Sequence, residues 1–166
     1  KPVWIELGLQ TIHPHTADYI RRGYPLSVYD TAVCELHERG IEVITHVILG
    51  LPGETTDDMQ ATADYIAHQP IQGVKFQLLH VLKGTDLYTD YLGQSFHTLT
   101  LDEYTDILIR CIELMPPEMV IHRITGDGPK NILAAPDWSR NKKQVLNHIH
   151  HCMKIRNTWQ GRCYLQ

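Results

Sequence analysis

The sequence predicts an α/β fold built from parallel βα units. Apolar, β-branched runs recur at residues 3–10, 42–49, 73–82 and 119–125, each long enough for a strand buried on both faces. Segments with apolar residues at helical spacing separate them. No hairpin turn joins two runs. Strand and helix in strict alternation imply parallel pairing and right-handed crossovers. Four strands suffice for an open sheet or for half of a barrel, and periodicity leaves both open.

The elements follow in order. Residues 3–10 (VWIELGLQ) form the first strand, with Glu6 and Gln10 as its polar members. Residues 14–22 form a short helix, Pro14 suiting its first turn and Gly23 its end. Ser27 and Asp30 resemble a capping pair. They precede a helix that runs to Arg39, with Val28, Ala32, Val33 and Leu36 facing inward, and Gly40 stops it. Residues 42–54 (EVITHVILGLPGE) give a strand interrupted only by His46 and closed by a Gly/Pro turn. βα units place ligands at the carboxyl end of such a strand. Thr55 or Thr56 then caps a helix carrying Met59, Ala63 and Ile66. Residues 73–82 form the third strand, Lys83-Gly84-Thr85 a turn, and 86–99 a loop or short helix. Thr100 and Glu103 make a capping box. Tyr104, Ile107, Leu108, Cys111 and Leu114 form the stripe of the helix behind it, which Pro116-Pro117 ends. Residues 119–125 are the fourth strand, followed by Gly126-Asp127-Gly128-Pro129. Residues 141–156 form a last helix with Val145, Ile149 and Cys152 inward.

Composition narrows the function classes. The chain has 166 residues, 43% hydrophobic and 20% charged, an ordinary globular mix. A chain of this size can bury about 70% of its unfolded surface. The net charge of -4 provides no basic footprint for nucleic acid. No apolar run reaches the ~18 residues of a membrane span, and no signal-peptide pattern is present. The four cysteines, Cys34, Cys111, Cys152 and Cys163, form no C-x-x-C pair, so a disulfide framework is not expected. Cys34 and Cys111 read as buried core cysteines. These features point to the cytoplasm. The sequence opens on Lys1-Pro2-Val3 without a Met and enters a strand almost at once. It reads as the C-terminal piece of a longer protein.

Several residues have both a structural and a chemical reading. Gln10, at a strand end, caps the next turn or meets a ligand with its carboxamide. Arg21 and Arg22 complement a helix C-terminus or bind a carboxylate or phosphate. His46 is either a hydrogen-bonded core histidine or a ligand-side group. His46, His80 and His122, joined by Glu6, offer a metal site only if the fold gathers them. Gly50-x-x-Gly53 and Gly126-Asp127-Gly128 are turns, or backbone nests for an anion. His148, His151 and Cys152 share a face of the last helix, where partial solvation competes with metal binding. His13 and His15 flank Pro14 in a surface turn.

Taken in order, ELGLQT at 6–11, the Arg-Arg-Gly helix end at 21–23 and HVILGLPGET at 46–55 resemble radical S-adenosylmethionine (SAM) proteins. KFQLLHVLKGT at 75–85, HRITGDGP at 122–129 and LAAPDWSRNK at 133–142 fit the YhcC/YtqA-like subgroup, related to the Elp3 and coproporphyrinogen dehydrogenase branches. The resemblance implies that these units form the second half of a partial (β/α)6 TIM-like barrel. Residues 1–130 would be the barrel half and 131–166 a C-terminal extension. It implies a full-length parent that binds a [4Fe–4S] cluster and SAM and generates a 5′-deoxyadenosyl radical. This sequence has no C-x-x-x-C-x-x-C, the loop that holds the cluster in the family. The chain is therefore expected to bind no cofactor alone and to be inactive alone. It would supply part of the SAM pocket and the substrate side.

By resemblance, Gln10 lies near the methionyl end of SAM and Arg22 pairs with its carboxylate. His46 stands where relatives have an aspartate for the ribose, Ile48 packs on adenine, and Phe76 to Leu79 run beside the ring. The implied partners are the N-terminal half of the barrel and an unknown substrate, with RNA bases and porphyrins both in range. Unpaired strand edges would also allow an edge-to-edge homodimer. The rival readings are a non-enzymatic α/β ligand-binding module and a metal hydrolase half-barrel using His46, His80 and His122.

Overall fold

The structure is a computed structural model that describes residues 3–126 and 128–165. Its centre is a four-stranded parallel sheet in the order β1 (Trp4–Gln10), β2 (Glu42–Leu49), β3 (Gly73–Leu78), β5 (Val120–Arg123). Each of the three later strands is reached through helices: α1 (Pro14–Tyr19) and α2 (Leu26–Glu38), then α3 (Thr56–Ala67), then α4 (Asp86–Leu92) and α5 (Leu101–Leu114). The last helix is α6 (Lys142–Arg156).

Alternation along the strands separates two faces. Leu9, Val43, Val47, Leu49, Val74, Phe76 and Leu78 point to the helices and join Val33, Met59, Ile66, Leu108 and Ile149 in the main core. The other face carries Glu6, Gly8, Gln10, His46, Ile48, Lys75 and Gln77, and α4 meets it at the carboxyl end near Ile48.

Local chemistry explains the helix ends. Thr55 with Asp58, and Thr100 with Glu103, form reciprocal capping boxes on α3 and α5. The capping pair expected at Ser27 and Asp30 does not form. α2 starts at Leu26 behind Pro25, and the Asp30 carboxylate instead accepts from the Tyr65 hydroxyl. The buried stripe of α2 is Tyr29 and Val33, spaced i,i+4, which leaves Val28 and Cys34 exposed. Cys34 is thus not a core cysteine, whereas Cys111 is buried, and desolvation pushes its thiol up to about 12. The helix expected over 14–22 stops at Tyr19, and Arg21 and Gly23 then take positive φ to turn the chain.

The third strand is shorter than its apolar run. Leu79 N–H still donates to Leu49 O at 3.0 Å, but the chain then leaves the sheet. Residues Val81–Leu82 (β4) pair antiparallel with Leu133–Ala135 (β6). A second, smaller core draws them there, formed by Leu51, Leu79, Val81, Phe96 and Ala135. Residues 86–92 resolve as α4, and 137–140 add a short 3-10 helix that the sequence did not announce.

Candidate functional site

The carboxyl ends of β1, β2 and β3 open into a cavity of about 760 Å³. Gly8, Gln10, Arg22, Tyr24, Ile48, Leu51 and Leu79 line it, with Tyr19 to Arg21 of the α1 exit on one side and Asp86, Leu87 and Asp90 of α4 on the other. Two contacts cross its mouth. Tyr19 hydroxyl donates to Asp90 Oδ2 at 2.7 Å, and Arg21 Nη2 meets Asp86 Oδ2 at 2.7 Å. The Asp90 carboxylate holds the Tyr19 phenol up at about 12.

The β1 end is built around Gln10. Its φ of 66° leaves the β region, and the ladder with β2 shifts register between Leu7 and Gln10. The side chain folds back over Gly8: a Cβ there would stand 2.8 Å from Gln10 Nε2. Glycine in a strand marks such close approaches. Gln10 Oε1 is buried and accepts no hydrogen bond from the described residues. It is an unsatisfied acceptor on the cavity wall, the kind of group a bound ligand or water satisfies.

Arg22 is largely engaged by the protein. Its Nε donates to Tyr24 O at 3.0 Å, and its Nη1 donates to Leu9 O at 3.0 Å and Thr11 O at 2.6 Å. Its Cζ lies 5.1 Å from the centre of the Tyr24 ring, and Tyr24 hydroxyl donates to Gly8 O at 2.6 Å. The guanidinium clamps the β1 exit through Nε and Nη1, and Arg22 also lines the cavity. Behind it, the Thr11 hydroxyl donates to the Glu54 carboxylate, tying the β1 exit to the turn after β2. Burial raises the Glu54 carboxyl above its usual range, against the opposing Thr11 bond.

The sequence-derived candidates divide into three groups. Gln10, Arg22, Ile48 and Leu79 line one cavity. Phe76 is fully buried in the helix-side core, because residues 76 and 77 face opposite ways on β3. His46 lies on the open face, one strand layer before the cavity residue Ile48. Its Nδ1 accepts from Gln77 Nε2 at 3.0 Å, so the proton sits on Nε2, which donates to Glu6 Oε2 at 2.8 Å. Lys75 Nζ donates to the same oxygen at 2.6 Å. These two donors, Lys75 foremost, hold the Glu6 carboxyl down at about 2.

The metal reading does not survive. Among the described residues no three His, Cys, Asp or Glu side chains gather to hold an ion. His122 packs on Gly73, and His80 packs on Gly126 and Gly128 rather than beside His46. A Cβ on Gly126 or Gly128 would come within 2.5 or 2.8 Å of the His80 ring, so both glycines serve that packing. Asp127 lies outside the described residues. In the other loop, Gly50 N–H points to Met59 Sδ at 3.0 Å and Glu54 N–H donates to Leu51 O at 3.2 Å, which is turn chemistry.

Sequence reasoning missed Gly8, Tyr24, Asp86 and Asp90. Gly8 carried a signal, a glycine inside an apolar strand. The acidic pair of α4 carried none, because only the tertiary path brings it opposite α1.

Comparison with known proteins places this geometry. The family model described as the Radical SAM superfamily matches residues 1–66, and the Radical_SAM C-terminal domain matches residues 71–155. The chain is similar to the uncharacterized protein YtqA of Bacillus subtilis, 41% identical over 162 residues, 98% of this chain and 50% of that protein. It is similar to protein YhcC of Escherichia coli K12, 33% identical over 140 residues, 84% of this chain and 45% of that protein. The chain spans about half the length of these curated relatives. A solved structure of archaeal Methanocaldococcus infernus Elp3 with an N-terminal deletion matches with a TM-score of 0.83 at 20% identity, over 95% of this chain and 37% of that one. That likeness shows the fold, consistent with a partial TIM-like barrel.

Proposed function

Because the chain belongs to the radical SAM superfamily, we infer that it supplies one wall of the SAM cavity in a radical SAM iron–sulfur enzyme. One observation carries the reading: Gln10 and Arg22 share a cavity with Ile48 and Leu79, and Gln10 Oε1 stands buried there without a partner. The residues fit the group. Gln10 and the guanidinium of Arg22 would hold the polar amino-acid end of SAM, and Ile48, Leu51 and Leu79 would pack its ring. Asp90, across the mouth and bound only by the neutral Tyr19 hydroxyl among the described residues, adds negative potential that suits a sulfonium cation, whereas Asp86 is paired with Arg21. When bound to a [4Fe–4S] cluster, SAM supplies a carbon radical that removes a hydrogen atom from substrate.

The cysteines of this chain do not fit the cluster, since no three metal-ligating side chains gather among the described residues. Cluster ligands would come from the other half of the barrel. That half is the partner that suits the β1 edge, where Trp4 is 53% exposed. The chain alone is then inactive, and pairing of two copies along the same edge is the alternative that light scattering would reveal. Four free cysteines suit a reducing compartment such as the cytoplasm. Among the described residues no helix is long and apolar enough to cross a membrane.

The test is SAM titration of the whole, cluster-loaded protein by calorimetry. Gln10→Ala removes one hydrogen bond of about 1 kcal/mol, so Kd should rise roughly 5-fold. An unchanged Kd removes Gln10 from the site.

A further inference from the structure

The chain Gln77–His46–Glu6–Lys75 spans three strands on the open face and belongs to neither the core nor the cofactor cavity. We propose that Glu6 is a ligand anchor in the barrel lumen, accepting a planar group with N–H donors, such as an amide, amidine or amino-heterocycle. Three observations carry this.

The first is position. Glu6, Gly8 and Gln10 follow one another along one face of β1, as His46 and Ile48 do along β2. Successive same-face residues are about 6.6 Å apart. Gly8 and Ile48 line the cavity, so Glu6 sits one layer beyond its floor.

The second is the state of the carboxylate. Lys75 Nζ at 2.6 Å and His46 Nε2 at 2.8 Å both donate to Oε2. The Trp4 side chain also hydrogen-bonds the carboxylate, and the Glu6 side chain stays 38% exposed on the open face. Lys75 offsets the charge of the carboxylate, whose oxygens only accept, so the site attracts N–H donors rather than anions.

The third is the cost. A charged pair on the inner face of a sheet stabilises little relative to apolar side chains of the same size. Here three polar side chains instead hold one carboxylate at a fixed place. His46, Lys75 and Gln77 are positioning residues for Glu6.

This rests on the radical SAM reading for what fills the cavity above, but its test uses no cofactor. In the full chain labelled with ¹⁵N, long-range proton–nitrogen spectra of the His46 ring should show the Nε2–H tautomer. Guanidinium chloride, a planar N–H donor, at up to about 50 mM should shift the Nε2 signal in a saturable way by binding the carboxylate. Sodium acetate should not. The response should vanish in Glu6→Gln and persist in Asp90→Asn, which alters only the cavity mouth. Where Glu6→Gln does not fold, Glu6→Asp must weaken the response several-fold. A shift driven by acetate, or a guanidinium response that survives loss of Glu6, overturns the proposal. SAM titration tests the cavity separately, so either idea can fail without the other.

Discussion

Arg22 stabilises the end of β1, and Arg22→Ala measures by how much. Its three hydrogen bonds reach the carbonyls of Leu9, Thr11 and Tyr24, and Leu9 and Thr11 are both 0% exposed. A hydrogen bond to a charged group contributes roughly 1.5–3 kcal/mol, and a buried carbonyl left unpaired costs about 1–3 kcal/mol. The three bonds share one side chain and do not add. Water entering from the cavity can serve Tyr24 O, but the two buried residues carry carbonyls that it reaches less well. The expected loss is about 3 kcal/mol. With an m-value of about 2 kcal/mol per molar urea, the midpoint should fall by about 1.5 M. Arg22→Lys keeps the charge but cannot reach three acceptors, so it should recover less than half of the loss. The assay is urea unfolding followed by circular dichroism, without cofactor. A midpoint for Arg22→Ala within about 0.3 M of the parent would show that water or neighbouring donors replace the clamp, and the reasoning fails.

Phe76→Ala should cost about 3–5 kcal/mol in the same assay, the value for a large buried aromatic; a loss under about 1 kcal/mol would place the ring outside the core. Gly8→Ala puts a methyl carbon 2.8 Å from Gln10 Nε2, the end of a flexible side chain that can swing away. Stability should change by less than about 1 kcal/mol, while SAM affinity of the whole protein falls about as far as in Gln10→Ala; equal affinity would mean that the carboxamide position is irrelevant. The Glu54 carboxyl is raised in the fold, so its ionisation opposes folding, and stability drains as pH rises from its unfolded value of 4.5 through the folded one. Glu54→Gln, which still accepts from Thr11, should gain on the parent as pH rises and lose that advantage in acid; parallel stability curves would refute this. Glu6 is the opposite case, with stability present above 4.5 and lost as pH falls toward about 2. Lys75→Met should return the Glu6 carboxyl toward 4.5 by ¹³C titration, and a carboxyl still near 2 would credit His46 instead.

Much of the fold was legible because it is local. The Thr100–Glu103 capping box, the threonine cap of α3, the helical stripe of α5 and the Gly/Pro turn after β2 depend on residues a few positions apart, and all appear as expected. The errors have one cause, competition from distant partners. The run over 73–82 has the apolar content of one strand, yet the second core pulls Val81 away to β6. Cys34 has an apolar neighbourhood in sequence, yet the spacing of Tyr29 and Val33 sets the buried side of α2.

The sequence by itself determined the order of the four central strands and the main helices between them, the parallel pairing of those strands and the residues at the β1 and β2 ends that carry the family likeness. It did so because periodicity and capping act within a few residues. Only the tertiary structure decided which candidates meet. Adjacent strand residues face opposite sides, so Phe76 went to the core while Gln77 reached His46. The β1–β2–β3 register brought Glu6, His46 and Lys75 together, and the path of α4 carried Asp86 and Asp90 to the cavity mouth. Those contacts join residues far apart in the chain, and no pattern along the sequence encodes their distance.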